Sequence, residues 1–246
     1  MTQRIFDVEN EKDMQDLWDI LQDHIIKIAK PFMNGYFYPK YVLARSEDGE
    51  WRMRYLSVFN SDEEILKALS DIHLKGRWYY LDCTYSKGVF YENIERPKYV
   101  SDLYPQYDYC LTDDSTKLEH FADNSIESIV FDPPFLFRNR KAENNDKMCA
   151  RFTYFKSYGE LFEMYRESLL CFKRKLKKGG YIFFKCQDMT DGKFYCTHTD
   201  IVNFAKEIGF ELKDIAIKVS KSKLQRDAKQ QNCVAKVHSY WLVFKK

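Results

Sequence analysis

The chain has 246 residues, of which 45% are apolar and 17% aromatic, and it carries a formal net charge of +2. This composition supplies a sizeable core and excludes an intrinsically disordered chain. No apolar run approaches the roughly 18 residues of a membrane-spanning helix, and the first 30 residues lack a signal-peptide pattern. We therefore expect a cytoplasmic protein without a membrane partner, and the sequence leaves its oligomeric state open.

Seven cysteines and five histidines are scattered without a Cys-x-x-Cys pair or a close histidine pair. This spacing argues against a zinc site and a disulfide framework, so we expect no metal. Residues 218–246 carry eight Lys and Arg against one Asp, whereas residues 1–76 carry 10 Lys and Arg against 14 acids. A basic C-terminal region fits a polyanionic partner, and it fits a solvated basic surface equally well.

The first 75 residues predict a small α+β extension. Apolar residues recur at helical spacing from Met14 to Ile28, and Pro31 ends this predicted helix. The segment YVLARSEDGEWRMRYLSVF predicts a hairpin. Ser61 and Glu64 form the capping box of a further helix.

From Trp78 onward, short apolar runs alternate with helical patterns, which indicates a mostly parallel sheet. The clearest helix spans Tyr158 to Lys178, and a shorter one spans about Asp200 to Ile208. No convincing crossover helix joins the last two strands, so we expect them to pair antiparallel. The predicted strands are WYYLDC, KYVSDL, YDYCLTD, IESIVFD, GGYIFFKC, FELKDIAIKV and HSYWLVFKK.

Acidic residues follow four of these strands. They are Asp82, Asp102, the pair Asp113 and Asp114, and Asp132. Any one of them could simply cap a helix or form a turn. Ligands of open α/β sheets bind beyond the carboxyl ends of the strands, so a run of acids at successive strand ends predicts a binding site.

The segment YYLDCTYSKGVFY, followed about fifty residues later by VFDPPF, resembles the class I S-adenosylmethionine-dependent methyltransferases that methylate exocyclic amino groups of nucleobases. Their hallmark is Asp/Asn/Ser-Pro-Pro-aromatic. The segments LLCFKRKLKKGGYIFFKCQD, IVNFAKEIGFELKDIAI and HSYWLVFKK resemble later elements of that family. The resemblance implies a Rossmann-like α/β domain over residues 76–246, with a mostly parallel seven-stranded sheet and an antiparallel last strand.

The resemblance also implies S-adenosylmethionine as cofactor. The cofactor loop corresponds to Asp82 through Gly88 and includes Thr84; it departs from the family pattern because only one glycine remains. Asp102 corresponds to the acid that accepts both ribose hydroxyls. Asp113 or Asp114 corresponds to the acid near the adenine amino group, and strand phase does not decide between them.

Asp132, Pro133, Pro134 and Phe135 correspond to the catalytic motif. The Asp132 carboxylate and the Pro133 carbonyl are both acceptors, so together they could hold the two hydrogens of an amino group. Phe135 offers a stacking face for a base taken out of its helix. Methylation of cytosine at C5 requires a nucleophilic cysteine, which follows a proline in the enzymes that carry it out. No proline precedes a cysteine in this chain, so we discard that chemistry.

The family resemblance implies nucleic acid as partner, and the leading Asp favours adenine N6 over cytosine N4 in DNA. RNA methylation at guanine N2 or adenine N6, and an inactive nucleic-acid-binding module of the same fold, are the alternatives. Two loops could hold phosphates, although solvated loop side chains are the ordinary alternative. Their candidate residues are Phe137, Arg138, Arg140, Lys221, Lys223 and Arg226.

Overall fold

The computed structural model describes residues 41–45, 51–137, 155–220, 234 and 236–246, with side chains from residue 54 onward. It divides into two compact units, residues 1–59 and 60–246. In the ranges described, no helix has both the length and the apolar character that crossing a bilayer requires. The domain boundary at residue 76 stays a prediction.

The first unit contains the predicted hairpin. Strands β1 (Tyr41–Arg45) and β2 (Trp51–Tyr55) pair antiparallel, with Tyr41 opposite Tyr55 and Arg45 opposite Trp51. The short strand β3 (Val58–Phe59) follows. The helix predicted before Pro31 lies outside the described residues.

The second unit begins with helix α1 (Asp62–His73), and its predicted capping is confirmed. The Glu64 amide donates to Ser61 Oγ at 3.2 Å, and Glu64 Oε2 accepts from the Asn60 amide at 3.4 Å. Ile65, Leu66 and Leu69 form the buried face of the helix.

Seven strands of residues 60–246 form the central sheet. They are β4 (Leu81–Asp82), β5 (Tyr99–Asp102), β6 (Leu111–Thr112), β7 (Ile126–Phe131), β8 (Leu176–Cys186), β11 (Glu211–Val219) and β12 (His238–Lys245). Their order across the sheet is β11-β12-β8-β7-β4-β5-β6. Strands β4 to β8 pair in parallel, whereas β12 is antiparallel to both of its neighbours. The predicted Rossmann-like fold class with an antiparallel last strand is therefore confirmed.

Helix α2 (Tyr158–Lys175) ends three residues before the predicted end at Lys178. Leu176 is fully buried, has an extended backbone and pairs with Ile126, so the lysine-rich segment that follows belongs to β8. Pairing with the sheet overrides the helical propensity of leucine and lysine here. Helix α3 (Thr197–Glu207) begins three residues before the predicted start at Asp200.

The sequence analysis missed a small hairpin between β8 and α3. Strands β9 (Met189–Asp191) and β10 (Lys193–Tyr195) pair antiparallel around Gly192, whose φ is +70°. A positive φ suits glycine because it has no Cβ. The parallel strands β4 to β7 are joined by loops that contain no α-helix over residues 83–98, 103–110 and 113–125. The parts of these loops that directly follow β4, β5 and β6 line a cavity at the carboxyl edge of the sheet.

The core lies between the sheet and helices α2 and α3. Phe131, Phe172, Phe184 and Tyr165 are fully buried there, and Phe131 contacts both Phe172 and Phe184 edge to face. The cysteines whose placement is described are free thiols, and Cys83, Cys110, Cys171 and Cys186 are buried.

Gly180 lies where β8 bulges between its pairings with Ile126 and Ser128. A Cβ at Gly180 would come within 3.0 Å of the Glu127 and Lys177 carbonyl oxygens, which are backbone atoms. We expect Gly180→Ala to lower the free energy of unfolding by about 1–3 kcal/mol, in urea denaturation, because the strand must move.

Gly159→Ala is the matched control for Gly180→Ala. Its Cβ would meet only Ser157 Oγ at 3.7 Å, and the residue is helical. Alanine should therefore leave stability unchanged or raise it. Equal destabilisation by the two changes would contradict the close packing inferred at Gly180.

Candidate active site

Three acids meet at the carboxyl edge of the sheet because the strands are in register. Asp82 lies opposite Val100 of β5 and opposite Val130 of β7. Asp102 and Asp132 each lie two residues beyond those partners. They open onto a cavity of about 610 Å³, which is lined by Asp82, Thr84, Tyr85, Ser86, Lys87, Gly88, Val89, Phe90, Tyr91, Asp102, Leu103, Tyr104, Gln106, Asp114, Ser115, Thr116, Phe131, Asp132, Pro133, Pro134, Phe155, Met164 and Glu167.

Thr84 joins the end of β4 to the end of β7. Its hydroxyl donates to Asp82 Oδ1 at 3.3 Å and accepts from the Asp132 amide at 2.7 Å. The Thr84 amide also donates to Asp82 Oδ1 at 2.9 Å. The side chain of Thr84 therefore holds the start of the DPPF motif against the loop from Asp82 to Gly88.

Asp82 is buried, with 1% of its surface exposed. Burial raises the pKa of this carboxyl to about 7, against the lowering effect of hydrogen bonds from the Thr84 amide and the Tyr91 hydroxyl. The Tyr91 hydroxyl donates to Asp82 Oδ2 at 2.8 Å. Both carboxylate oxygens of Asp82 are thus occupied by protein donors. Through these hydrogen bonds Asp82 fixes the positions of Thr84 and Tyr91 in the loop that follows β4.

The loop between Asp82 and Gly88 has a single glycine, Gly88, where the family pattern has more. Gly88 has a φ of +66° and precedes a 3-10 helix, Val89–Tyr91. A Cβ at Gly88 would overlap the Tyr85 ring, which stacks on Tyr91 at 5.7 Å. The absent side chain of Gly88 therefore makes room for the Tyr85 ring.

Asp102 lies at the end of β5 and faces the cavity. Its Oδ2 accepts from the Ser86 amide and its Oδ1 from the Tyr104 amide, both at 2.8 Å. Each carboxylate oxygen can accept more than one hydrogen bond, so acceptor capacity remains on the cavity side.

The neighbours Asp113 and Asp114 have different surroundings. Asp113 is buried and accepts from the amides of Asp114, Glu119 and His120 at 2.9, 3.0 and 3.2 Å, so it holds the following turn. Asp114 lines the cavity and accepts from the Thr116 amide at 2.9 Å. Of the two acids, Asp114 is the one available to a ligand.

Asp132 carries an unpartnered acceptor. Its Oδ1 is buried and has no hydrogen-bond partner, whereas its Oδ2 lies 3.5 Å from Lys185 Nζ. Burial raises the pKa of Asp132 to about 6, and the positive charge of Lys185 opposes that rise. Lys185 therefore favours the ionised form of this carboxyl, and one of its oxygens has no protein donor.

The rest of the DPPF motif is held in place by a contact from helix α2. Pro133 is buried, and the Tyr165 hydroxyl donates to the Pro134 carbonyl at 2.5 Å. Phe135 is partly exposed, and Lys185 Nζ lies 5.8 Å from the centre of its ring. The fixed φ of the two prolines and the Tyr165 bond leave this turn little freedom.

Phe137 corrects one substrate-contact prediction. Its side chain is 6% exposed, lies in the hydrophobic core and contacts Tyr158 and Tyr195. An aromatic ring with these apolar neighbours is covered by them and does not face a nucleic acid. The other substrate-contact candidates, Arg138, Arg140, Lys221, Lys223 and Arg226, lie outside the described residues.

Sequence reasoning missed several residues that line the cavity, among them Tyr104, Met164 and Glu167. Glu167 lies on the surface-facing side of α2, where a single glutamate among other charged residues gives no signal. Asp62, on α1, was also missed, although its side chain lies 3.2 Å from Lys185.

The fold also brings Asp188, Cys196 and His198 within 4.8 Å of one another, a set of atoms able to bind a metal. Asp188 Oδ1 lies only 2.8 Å from His198 Nδ1, a direct hydrogen bond. Ligands of tetrahedral zinc lie about 3.3 Å apart, given bonds of about 2 Å. The stacking of His198 on Tyr240 at 4.3 Å further accounts for the cluster without an ion.

We expect Asp82→Asn to change how stability depends on pH. The pKa of Asp82 is about 7 in the folded chain and 3.8 in the reference state, so the stability contributed by its proton is lost as pH rises toward 7. The variant lacks that loss. In urea denaturation, the unfolding free energy of Asp82→Asn should therefore exceed that of the wild type by more at pH 8 than at pH 5.

The control for this titration is Asp123→Asn, because Asp123 pairs with Arg174 at the surface. Its difference from the wild type should be nearly the same at both pH values. A difference for Asp82→Asn that does not grow with pH would contradict the raised pKa.

Comparison with family models and with curated proteins finds no match. Among solved structures, the chain is similar to TTHA0409, a candidate DNA modification methylase from Thermus thermophilus complexed with S-adenosyl-L-methionine, at 19% identity over 54% of this chain and 53% of that one, with a TM-score of 0.36. It is similar to the N-methyltransferase NodS from Bradyrhizobium japonicum WM9, complexed with S-adenosyl-L-homocysteine, at 12% identity. That match covers 76% of this chain and 88% of NodS, with a TM-score of 0.44. It is also similar to the cytosine-N4-specific PvuII DNA methyltransferase, at 19% identity. That match covers 54% of this chain and 47% of the PvuII enzyme, with a TM-score of 0.37. The chain spans about half the length of TTHA0409 in each of that protein's structures, 50 to 54%.

Proposed function

We propose that this chain is an S-adenosylmethionine-dependent methyltransferase that acts on an exocyclic amino nitrogen of a nucleobase, with adenine N6 in DNA as its first candidate target. The observation that carries the proposal is the free, buried Asp132 Oδ1, which lies at the start of a rigid Pro-Pro turn and beside an acid-lined cavity. A buried carboxylate oxygen without a donor is costly unless a ligand supplies one.

The charge of the cavity fits a cationic cofactor. Asp82, Asp102, Asp114, Asp132 and Glu167 line it together with a single lysine, Lys87. S-adenosylmethionine carries a sulfonium and an ammonium, both of which favour such surroundings. We assign the ribose hydroxyls to Asp102 and the adenine amino group to Asp114, and both acids line the cavity together with Thr84 and Gly88. When bound, the cofactor supplies an activated methyl group.

The motif residues would prepare the amino nitrogen. The lone pair of an exocyclic amine is delocalised into the base, which makes the nitrogen a poor nucleophile. If Asp132 Oδ1 and the Pro133 carbonyl accept its two hydrogens, the nitrogen is held in the pyramidal form that can attack. Oδ1 is also the nearest acceptor for the proton that nitrogen must lose. Phe135 provides a partly exposed face for the base.

A second candidate is a nucleic-acid-binding module of the same fold without methyltransferase activity. One observation favours it. Tyr85 belongs to the loop in which family members usually carry two or three glycines, and its ring fills the space beside Gly88. If that ring blocks the cofactor, the protein should not bind S-adenosylmethionine at all.

We expect Asp132→Ala to reduce methyl transfer at least about a hundredfold, because the amino nitrogen loses its charged acceptor. Labelled methyl from S-adenosylmethionine is offered to duplex DNA, single-stranded DNA and RNA, and the modified nucleoside is identified after digestion. The control Asp123→Ala, an exposed change, should match the wild type. Undiminished transfer by Asp132→Ala would refute the assignment, and label in RNA alone would replace DNA by RNA as substrate.

We expect Asp102→Ala to weaken cofactor binding about tenfold or more, because it removes the ribose acceptor. Isothermal calorimetry with S-adenosylmethionine measures this, and Asp132→Ala should bind almost as the wild type does. Equal affinities for Asp102→Ala and the wild type would contradict the placement of the ribose. Wild-type protein that shows no binding at millimolar cofactor would favour the binding module.

A further inference from the structure

Lys185 is a buried lysine that the proposed chemistry does not yet use. It lies at the penultimate position of β8, beside the end of β7, because Phe184 pairs with Phe131. Its side chain is 9% exposed, and its ammonium lies 3.2 Å from Asp62 and 3.5 Å from Asp132. The ammonium also lies 4.5 Å from the centre of the Phe90 ring. A buried lysine with two carboxylate partners is fixed in position.

Asp62 holds Lys185 from the side opposite Asp132. Its Oδ1 accepts from Trp241 Nε1 at 2.9 Å, and its Oδ2 pairs with Lys218 Nζ at 2.8 Å. Burial raises the pKa of Asp62, but Lys185 and Lys218 outweigh burial and bring the pKa below its usual value. Asp62 is therefore ionised, and the group contains two carboxylates and two ammonium groups.

The arrangement is asymmetric around Asp132. Asp62 has two lysines and an indole as partners, whereas the ion pair of Asp132 within the described chain is with Lys185 alone. Without Lys185, the partly buried Asp132 carboxylate would lie near Asp62 and Asp82 without its ion-pair partner, and the more distant Lys218 would be the cation that still favours its charged form. A carboxyl in such surroundings takes up a proton. A protonated Asp132 would lose its strength as an acceptor.

We propose that Lys185 is a positioning residue for the proposed methyl transfer, because its ammonium keeps the Asp132 carboxylate ionised and turned so that Oδ1 faces the target amine. Asp62, with Lys218 and Trp241, holds Lys185 in that place. This inference rests on the proposed role of Asp132 as the acceptor of the amino group.

The titratable groups around Asp132 come from every element packed against it. Asp62 approaches from α1, Asp82 from β4, Lys185 and Cys186 from β8, and Lys218 from β11. The hydroxyls of Tyr91 and Tyr165 also face it. Of these, Lys185 and, more weakly, Lys218 favour the ionised form of Asp132, and Asp62 opposes it. Removing the lysine and removing the acid should therefore shift the titration of Asp132 in opposite directions.

The test compares Lys185→Met, Lys185→Arg and Asp62→Asn in methyl transfer from pH 5 to 9. Lys185→Met should move the acid limb of kcat upward by about one pH unit and thereby lower kcat about fivefold at pH 6. Asp62→Asn should move that limb downward, and Lys185→Arg should leave it near the wild-type position. Affinity for S-adenosylmethionine should stay within about twofold throughout. Lys213→Met is the control and should change nothing, because Lys213 is exposed and its ion pair within the described residues is with Glu211.

A second measurement does not depend on turnover. Carbon-13 labelling of aspartate, with Asp132→Asn for assignment, gives the pKa of the Asp132 carboxyl directly by NMR. The same opposite shifts are expected for Lys185→Met and Asp62→Asn. Unshifted titrations, or shifts in the same direction, would overturn the inference. If the wild type transfers no methyl group to any nucleic acid, the proposed function fails, whereas the titration still decides whether Lys185 sets the ionisation of Asp132.

Discussion

The in-register pairing of β4 with both of its neighbours is the constraint on which the site depends. Because Asp82 lies opposite Val100 and Val130, the chain leaves all three strands at one edge, and Thr84, Asp102 and Asp132 meet there. A slip of one residue would turn each acid to the other face of the sheet. Since β4 has only two residues, the Thr84 hydroxyl is an important part of what fixes that register.

Bringing acids together in a partly buried place is unfavourable, and the fold compensates each of them differently. Asp82 receives neutral donors, Asp102 receives backbone amides, and Asp132 receives an ammonium group. The first and last keep raised pKa values, which are typical of functional sites. The compensation is incomplete where a ligand would enter, so some folding stability is given up at the cavity.

Much of this architecture could be predicted from local patterns. The strands, the capping box and the DPPF motif each have a strong local signal, and the acids at strand ends follow from the rule for open α/β sheets. Three features could not be predicted. The end of α2 depends on pairing with β7, the role of Gly88 depends on where the Tyr85 ring lies, and the Asp62–Lys185 pair joins residues far apart in sequence. Each is decided by tertiary contact, which periodicity does not report.

The insertion of β12 between β8 and β11 has a consequence for biosynthesis. Strand β12 is translated after every other strand of the sheet, yet it supplies Trp241, which bonds to Asp62 across 179 residues. A nascent chain that still lacks β12 exposes two unpaired strand edges, and such edges promote aggregation. The group formed by Asp62, Lys185, Lys218 and Trp241 therefore cannot be completed before β12 has been synthesised. Ribosome stalling just before β12 should leave the chain dependent on chaperones.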